Sequence, residues 1–282
     1  MNNFFKAIPF LLIMVSCSRS PDDDGVSQLR KNGIKVEDKK VIAWFPKDSL
    51  SNNEMKEIVD SLNLGIELAK LYIKSPYNWQ VFANQPITYY FKPGNFISQT
   101  TDNSEIMIPL WRARNFKSPW LHETMHILLR SKKGNWNETS FSNKYLNRPL
   151  WLGEGFAEYC AVKISYLNQL PKFDVHRNLG YLKLDSVCKQ KLTEENGEYI
   201  LKYIGTKGLM RQLFGEERGK YAPTFYTCSC SFSKYLTETY GIETMLTANS
   251  EFETEHETLE KLTEKSMGTL KEEWLNRLEK NK

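Results

Sequence analysis

Apolar positions recur at two different spacings along the first half of the chain. Lys40 to Phe45 (KVIAWF), Pro86 to Phe91 (PITYYF) and Glu105 to Trp111 (EIMIPLW) are short runs rich in β-branched and aromatic residues, and they predict strands. Lys92-Pro93-Gly94 closes the second run. Between the first two, Met55 to Ile73 places Ile58, Val59, Leu62, Ile66, Ala69 and Ile73 on one stripe at helical spacing. Strand, helix, strand, strand and then helices predict an α+β fold: a small mixed sheet with an edge strand, followed by a mostly helical half.

The second half has the longer period. Ser118 can cap a helix and Pro119 suits its first position, with Trp120, Leu121, Met125, Leu128 and Leu129 as the buried face. A polar insert, residues 131–148, predicts an exposed loop, and a further helix starts near Pro149 and runs through LWLGEGFAEYCAVKI. Residues 165–220 mix glycines and charges with short apolar runs and mark no single element. Phe225 to Tyr240 reads as a helix, and Leu259 to Leu278 as one or two closing helices. No internal repeat is present, and residues 36–282 read as one domain with an α+β part (36–116) and a helical part (117–282).

The 282 residues are 40% hydrophobic, enough to bury a sizeable core. The net charge of +4 is spread out, without the basic run that a nucleic-acid partner would require. Residues 1–17 have the n-region, apolar run and small-residue order of a signal peptide, and the run is too short to span a bilayer. Met14-Val15-Ser16-Cys17 resembles a bacterial lipobox, which implies acylation of Cys17 and membrane attachment through that lipid anchor alone. Residues 18–35, beginning SRSPDDDG, read as a flexible tether, and the acidic run Asp22 to Asp24 is similar to tags that sort lipoproteins to the outer membrane or cell surface. The expected location is the cell envelope, periplasmic or surface-exposed.

Cys160, Cys188, Cys228 and Cys230 remain. Three pairings into two disulfides are formally possible, Cys228 and Cys230 are too close to bridge each other easily, and buried free thiols or a single Cys160 to Cys188 disulfide are the favoured readings.

The chemistry concentrates in two segments. His122-Glu123-Thr124-Met125-His126 puts two imidazoles four positions apart, on one face of a helix and within reach of one ion. Glu123 stands beside that ion, where a carboxylate can take a proton from an activated water. Downstream, Glu154 sits between Gly153 and Gly155. Each glycine costs a helix interior about 1 kcal/mol, and close approach to the histidine-bearing helix would offset the cost and bring Glu154 to the same ion. Glu158, one turn on, either accepts the free ring N–H of His122 or makes a surface ion pair. His176 and His256 have no motif around them and read as surface residues.

HETMH followed by LWLGEGFAEY resembles the gluzincin branch of zinc peptidases, the thermolysin-like, aminopeptidase-N-like and peptidase-MA enzymes. The resemblance covers roughly residues 100–280. It implies a zincin-like fold, one Zn2+ held by His122, His126 and Glu154, and hydrolysis of a peptide or protein substrate by a metal-activated water with Glu123 as general base. It further implies that the strand around Glu105 to Leu110 is the edge strand that pairs with substrate. Tyr226 then either donates to the developing oxyanion or is an ordinary core tyrosine. No GxMEN-type segment precedes the helix, so the resemblance points to an endopeptidase. The alternative is a catalytically silent surface lipoprotein that uses such a fold for binding or assembly, and Glu123 is the residue it would not need.

Overall fold

The apolar stripes found along the chain meet around one sheet. The structure, a computed structural model, describes residues 23–74, 86–100, 105–114, 120–129, 149–170, 175–194, 196–208, 210–251 and 254–280. Cys17, Ser118, Pro119 and the insert at 131–148 lie outside the described residues, as does the side chain of His176.

The five strands are β1 (Ile34–Asp38), β2 (Val41–Phe45), β3 (Ile87–Lys92), β4 (Gln99–Thr100) and β5 (Glu105–Pro109). Their order is β1-β2-β3-β5-β4, with β2, β3 and β5 parallel and the outer strands antiparallel. The mixed α+β class is as expected. The edge expectation is corrected, because Gln99 and Thr100 pair with Met107 and Ile106 and make the two-residue β4 the outermost strand on that side.

Alternation along the strands assigns the two faces. Val41, Ala43, Phe45, Ile87, Tyr89, Phe91, Ile106 and Ile108 point into the main core, under helix α2 (Asn52–Ile73). This helix buries the predicted stripe and starts at a capping box in which Ser51 and Glu54 satisfy each other's backbone N–H. Tyr90 and Met107 face the other way and are covered by Leu29 of α1 (Asp23–Asn32). A tether therefore does not describe residues 23–35. Burial of Leu29, worth about 1.5–3 kcal/mol, and contacts from Arg30 to Tyr90 and Glu105 hold α1 on the sheet.

After β5 the chain turns helical at once, so Leu110 and Trp111 belong to α3 (Leu110–Arg114) rather than to the strand. The remaining helices are α4 (Trp120–Leu128), α5 (Leu150–Asn168), α6 (Val175–Leu192), α7 (Gly197–Leu201), α8 (Arg218–Tyr240), α9 (Ile242–Ser250), α10 (Glu255–Thr263) and α11 (Met267–Lys280). One apolar cluster runs from Val41 of β2 to Leu278 of α11, so one face of the sheet and the helices after α1 share a core. His256 is buried in it, contrary to the surface reading, because its Nε2 accepts the indole N–H of Trp151 at 3.1 Å. Among the described residues no helix is long and apolar enough to cross a membrane.

Candidate metal centre

Helix α4 is only nine residues long, and contacts along its length fix it. The Trp120 ring lies so close over Gly65 of α2 that a Cβ there would fall 2.1 Å from it. In the middle of the helix, the Thr124 hydroxyl and the Tyr89 hydroxyl of β3 are 2.7 Å apart and fully buried, which ties the helix to the central strand. Just past its C-terminus, Asn249 of α9 donates to the Leu129 carbonyl at 2.7 Å, satisfying an otherwise orphaned acceptor. His122 and His126 thus project from a helix with little freedom to shift.

Glu154 comes from α5, and the two glycines beside it differ. A Cβ on Gly155 would lie 2.4 Å from the Ser229 carbonyl oxygen, so α5 and α8 cross in direct backbone contact there. The close approach expected from the sequence is real, but its partner is α8 and not the histidine-bearing helix. A Cβ on Gly153 would meet no described atom within 4 Å, and the structure gives no packing reason for that glycine.

The three donors converge. His122 Nε2 and His126 Nε2 are 3.0 Å apart, and Glu154 Oε2 lies 3.3 Å from the first and 3.5 Å from the second. In a tetrahedral site with bonds of 2.0–2.1 Å, neighbouring ligand atoms are separated by about 3.3–3.4 Å, so this triangle has the dimensions of one face of such a site. His122, His126 and Glu154 could therefore hold one metal ion.

Behind the triangle, Glu158 Oε2 is 2.7 Å from His122 Nδ1, which orients the ring with Nε2 toward the other donors. Of the two readings of Glu158, the one in which it partners His122 matches its position. Burial alone would favour a neutral His122, but Glu154, Glu158 and Glu123 outweigh it and raise the imidazole to about 10. Against its own burial, Glu154 is held well below the usual carboxylate range by His126 and His122. The cluster thus has a strong demand for positive charge, which a divalent ion would meet by displacing protons.

Two further groups complete the surroundings. Glu123 is buried, and the Thr100 hydroxyl of β4 lies 3.0 Å from both its Oε2 and its backbone carbonyl, so the outermost strand holds the carboxylate in place. Tyr226 of α8 sets its ring edge-on to His122, with centroids 6.3 Å apart. Its hydroxyl is pushed well above the ordinary tyrosine range by burial and then by Glu154, so it remains an O–H donor. Arg218, one cation–π distance away at 5.9 Å, partly offsets that push. Thr100 and Arg218 escaped the sequence reading. A two-residue strand carries no periodic signal, and Arg218 reaches Tyr226 across two turns of a helix whose start was read seven residues later.

No family model, no curated protein and no solved structure matches this chain, so the reading of the centre rests on its own geometry.

Proposed function

We propose that this chain is a zinc-dependent peptidase of the gluzincin type, acting as an endopeptidase on peptide or protein substrates. The observation that carries the proposal is the buried carboxylate of Glu123, which lies on the helix that presents both imidazoles and is held by Thr100 of β4. Zinc is favoured over calcium or magnesium because two of the three donors are imidazole nitrogens, whereas those cations take oxygen. Three protein donors would leave a tetrahedral ion one position short of the four ligands of a closed structural site.

When bound, zinc supplies Lewis acidity to the attacking water and the scissile carbonyl. The chain's own residues do the rest. Glu123 accepts a proton from the water and returns it to the leaving amine. Tyr226 donates its O–H toward the oxygen on which negative charge develops. Glu158 keeps His122 in the tautomer whose Nε2 lone pair faces the centre. A protein that merely binds through this fold has no use for Glu123, which weighs against the silent alternative.

Location at the cell envelope through acylated Cys17 belongs to the same proposal and rests on the leader sequence. The test is Glu123→Gln, assayed by digestion of a peptide library with and without chelator. The variant should keep its zinc and lose about 10²–10⁴-fold in turnover, the usual contribution of a general base. Full activity in the zinc-loaded variant would refute the assignment.

A further inference from the structure

We propose that Cys188 and Cys228 form an intramolecular disulfide when the chain folds under oxidising conditions, tying α6 to α8 beside the metal centre. Their Sγ atoms lie 3.5 Å apart, with both residues fully buried. Cys230, two positions from Cys228 on the same helix, projects to a different side of α8. In the structure Cys160, Cys188, Cys228 and Cys230 are all buried free thiols, one of the two sequence expectations, and the Cys160 to Cys188 bridge is not formed.

A metal role does not suit the pair. Among the described residues, the group with metal-ligand spacing is His122, His126 and Glu154, and no cysteine takes part. A thiol–thiol hydrogen bond is weak, whereas a covalent bond requires the sulfurs to close from 3.5 Å to about 2.05 Å.

The chemistry balances with a small-molecule disulfide such as glutathione disulfide as oxidant. One cysteine thiolate attacks a glutathione sulfur, forming a mixed disulfide and releasing one glutathione thiol. The second cysteine, having given up its proton, attacks the protein sulfur of that mixed disulfide and releases the second glutathione thiol. Two protein thiols are oxidised to one disulfide, and one glutathione disulfide is reduced to two thiols. In the folded chain the Cys228 thiol is held protonated by its contact with Cys188 and by burial, and no oxidant reaches it. The bridge therefore closes while α6 and α8 are docking.

The consequence concerns the site. Cys228 is two residues from Tyr226 and adjacent to Ser229, the residue against which Gly155 packs. A bridge there fixes the part of α8 that lines the metal centre. The inference draws on the proposed export only for its oxidant.

The test is disulfide mapping of the full chain after reductive denaturation and refolding in mixed oxidised and reduced glutathione. Thiols are then blocked under denaturing conditions. The expected result is a refolded chain two hydrogens lighter than the reduced chain, with Cys17, Cys160 and Cys230 blocked. A linked peptide should join residues 184–189 to 221–234, and fragmentation should assign the bond to Cys228 rather than Cys230. Loop-closure entropy predicts that melting is about 10 °C higher than for the Cys188→Ala/Cys228→Ala chain, and that dithiothreitol abolishes the difference. Five blocked cysteines in refolded protein, or a bridge through any other pair, would overturn the proposal. If refolding gives aggregate, the same map on chain collected from the envelope of a host cell decides the matter. The readout is a mass, so it stands or falls independently of zinc binding and peptidase activity.

Discussion

Gly153 and Gly155 flank the same ligand, and the same substitution should act on them with opposite sign. Gly153→Ala adds a methyl group with nothing described within 4 Å and relieves a helix-interior glycine, so it should stabilise by about 0.5–1 kcal/mol. Gly155→Ala places its Cβ 2.4 Å from the Ser229 carbonyl oxygen and 2.5 Å from its carbon, against an ordinary contact of 3.4 Å or more. The shortfall is 3.4 − 2.4 = 1.0 Å. Both sides are backbone, so no rotamer can relieve it and the helices must part. Overpacking costs about 1–3 kcal/mol, and a backbone overlap of this size belongs to the upper part of that range, so after a gain of up to about 1 kcal/mol in helix propensity a net loss of about 1–2 kcal/mol remains.

The separation also displaces Glu154, which precedes Gly155. Metal sites tolerate about 0.2 Å in ligand position, so Gly155→Ala should bind zinc at least about 10-fold more weakly, while Gly153→Ala keeps its affinity. Thermal melts and competitive zinc titrations on the two variants measure both effects. The melting temperatures should differ by several degrees, with Gly153→Ala the higher. A Gly155→Ala chain as stable as Gly153→Ala, with wild-type zinc affinity, would refute the account of how α5 is seated.

Two other perturbations have defined outcomes. Thr100→Val removes the hydroxyl that holds Glu123 and should lower kcat by about 10-fold with zinc content unchanged, and an unaltered kcat would show that the contact does not position the base. His256 is pushed down from 6.5 to about 4, by burial first and then by Lys207, so between those pH values the unfolded chain binds the extra proton. Stability from this group is full above pH 6.5 and is lost as the pH falls toward 4, by about 2 kcal/mol once solvent screening is allowed for. His256→Gln keeps an acceptor for Trp151 and should flatten that part of the pH–stability curve. An unchanged slope would mean that another group causes it.

How much was legible in the sequence follows from where each signal lies. Helix α2, β2, β3, β5 and the closing helices carry amphipathic or β-rich patterns contained within the element itself, and they stand close to where the pattern put them. The meeting of His122, His126 and Glu154 was also legible. The i,i+4 spacing fixes two donors on one helical face, and a glycine beside Glu154 signalled a close helix crossing.

What the pattern could not give was the identity of the neighbour. Gly155 touches Ser229 and not α4, Cys188 faces Cys228 and not Cys160, and His256 is buried because Trp151 reaches it from α5. Each depends on contacts between residues 40 or more positions apart. Helix α1 was hidden for another reason. Its opening sequence looks like a solvated linker, and its hold on the sheet depends on Leu29 and Arg30 finding Tyr90, Met107 and Glu105.

The central claim is that His122, His126 and Glu154 together hold one divalent ion. X-ray absorption at the zinc edge, on protein loaded with one equivalent and compared with Glu154→Ala, tests it most directly. The wild-type spectrum should show a shell of nitrogen and oxygen at about 2.0–2.1 Å with scattering from two imidazoles, and the variant should lose its zinc on dialysis. Zinc held as tightly in Glu154→Ala, or a wild-type shell with sulfur or without two imidazoles, would contradict it.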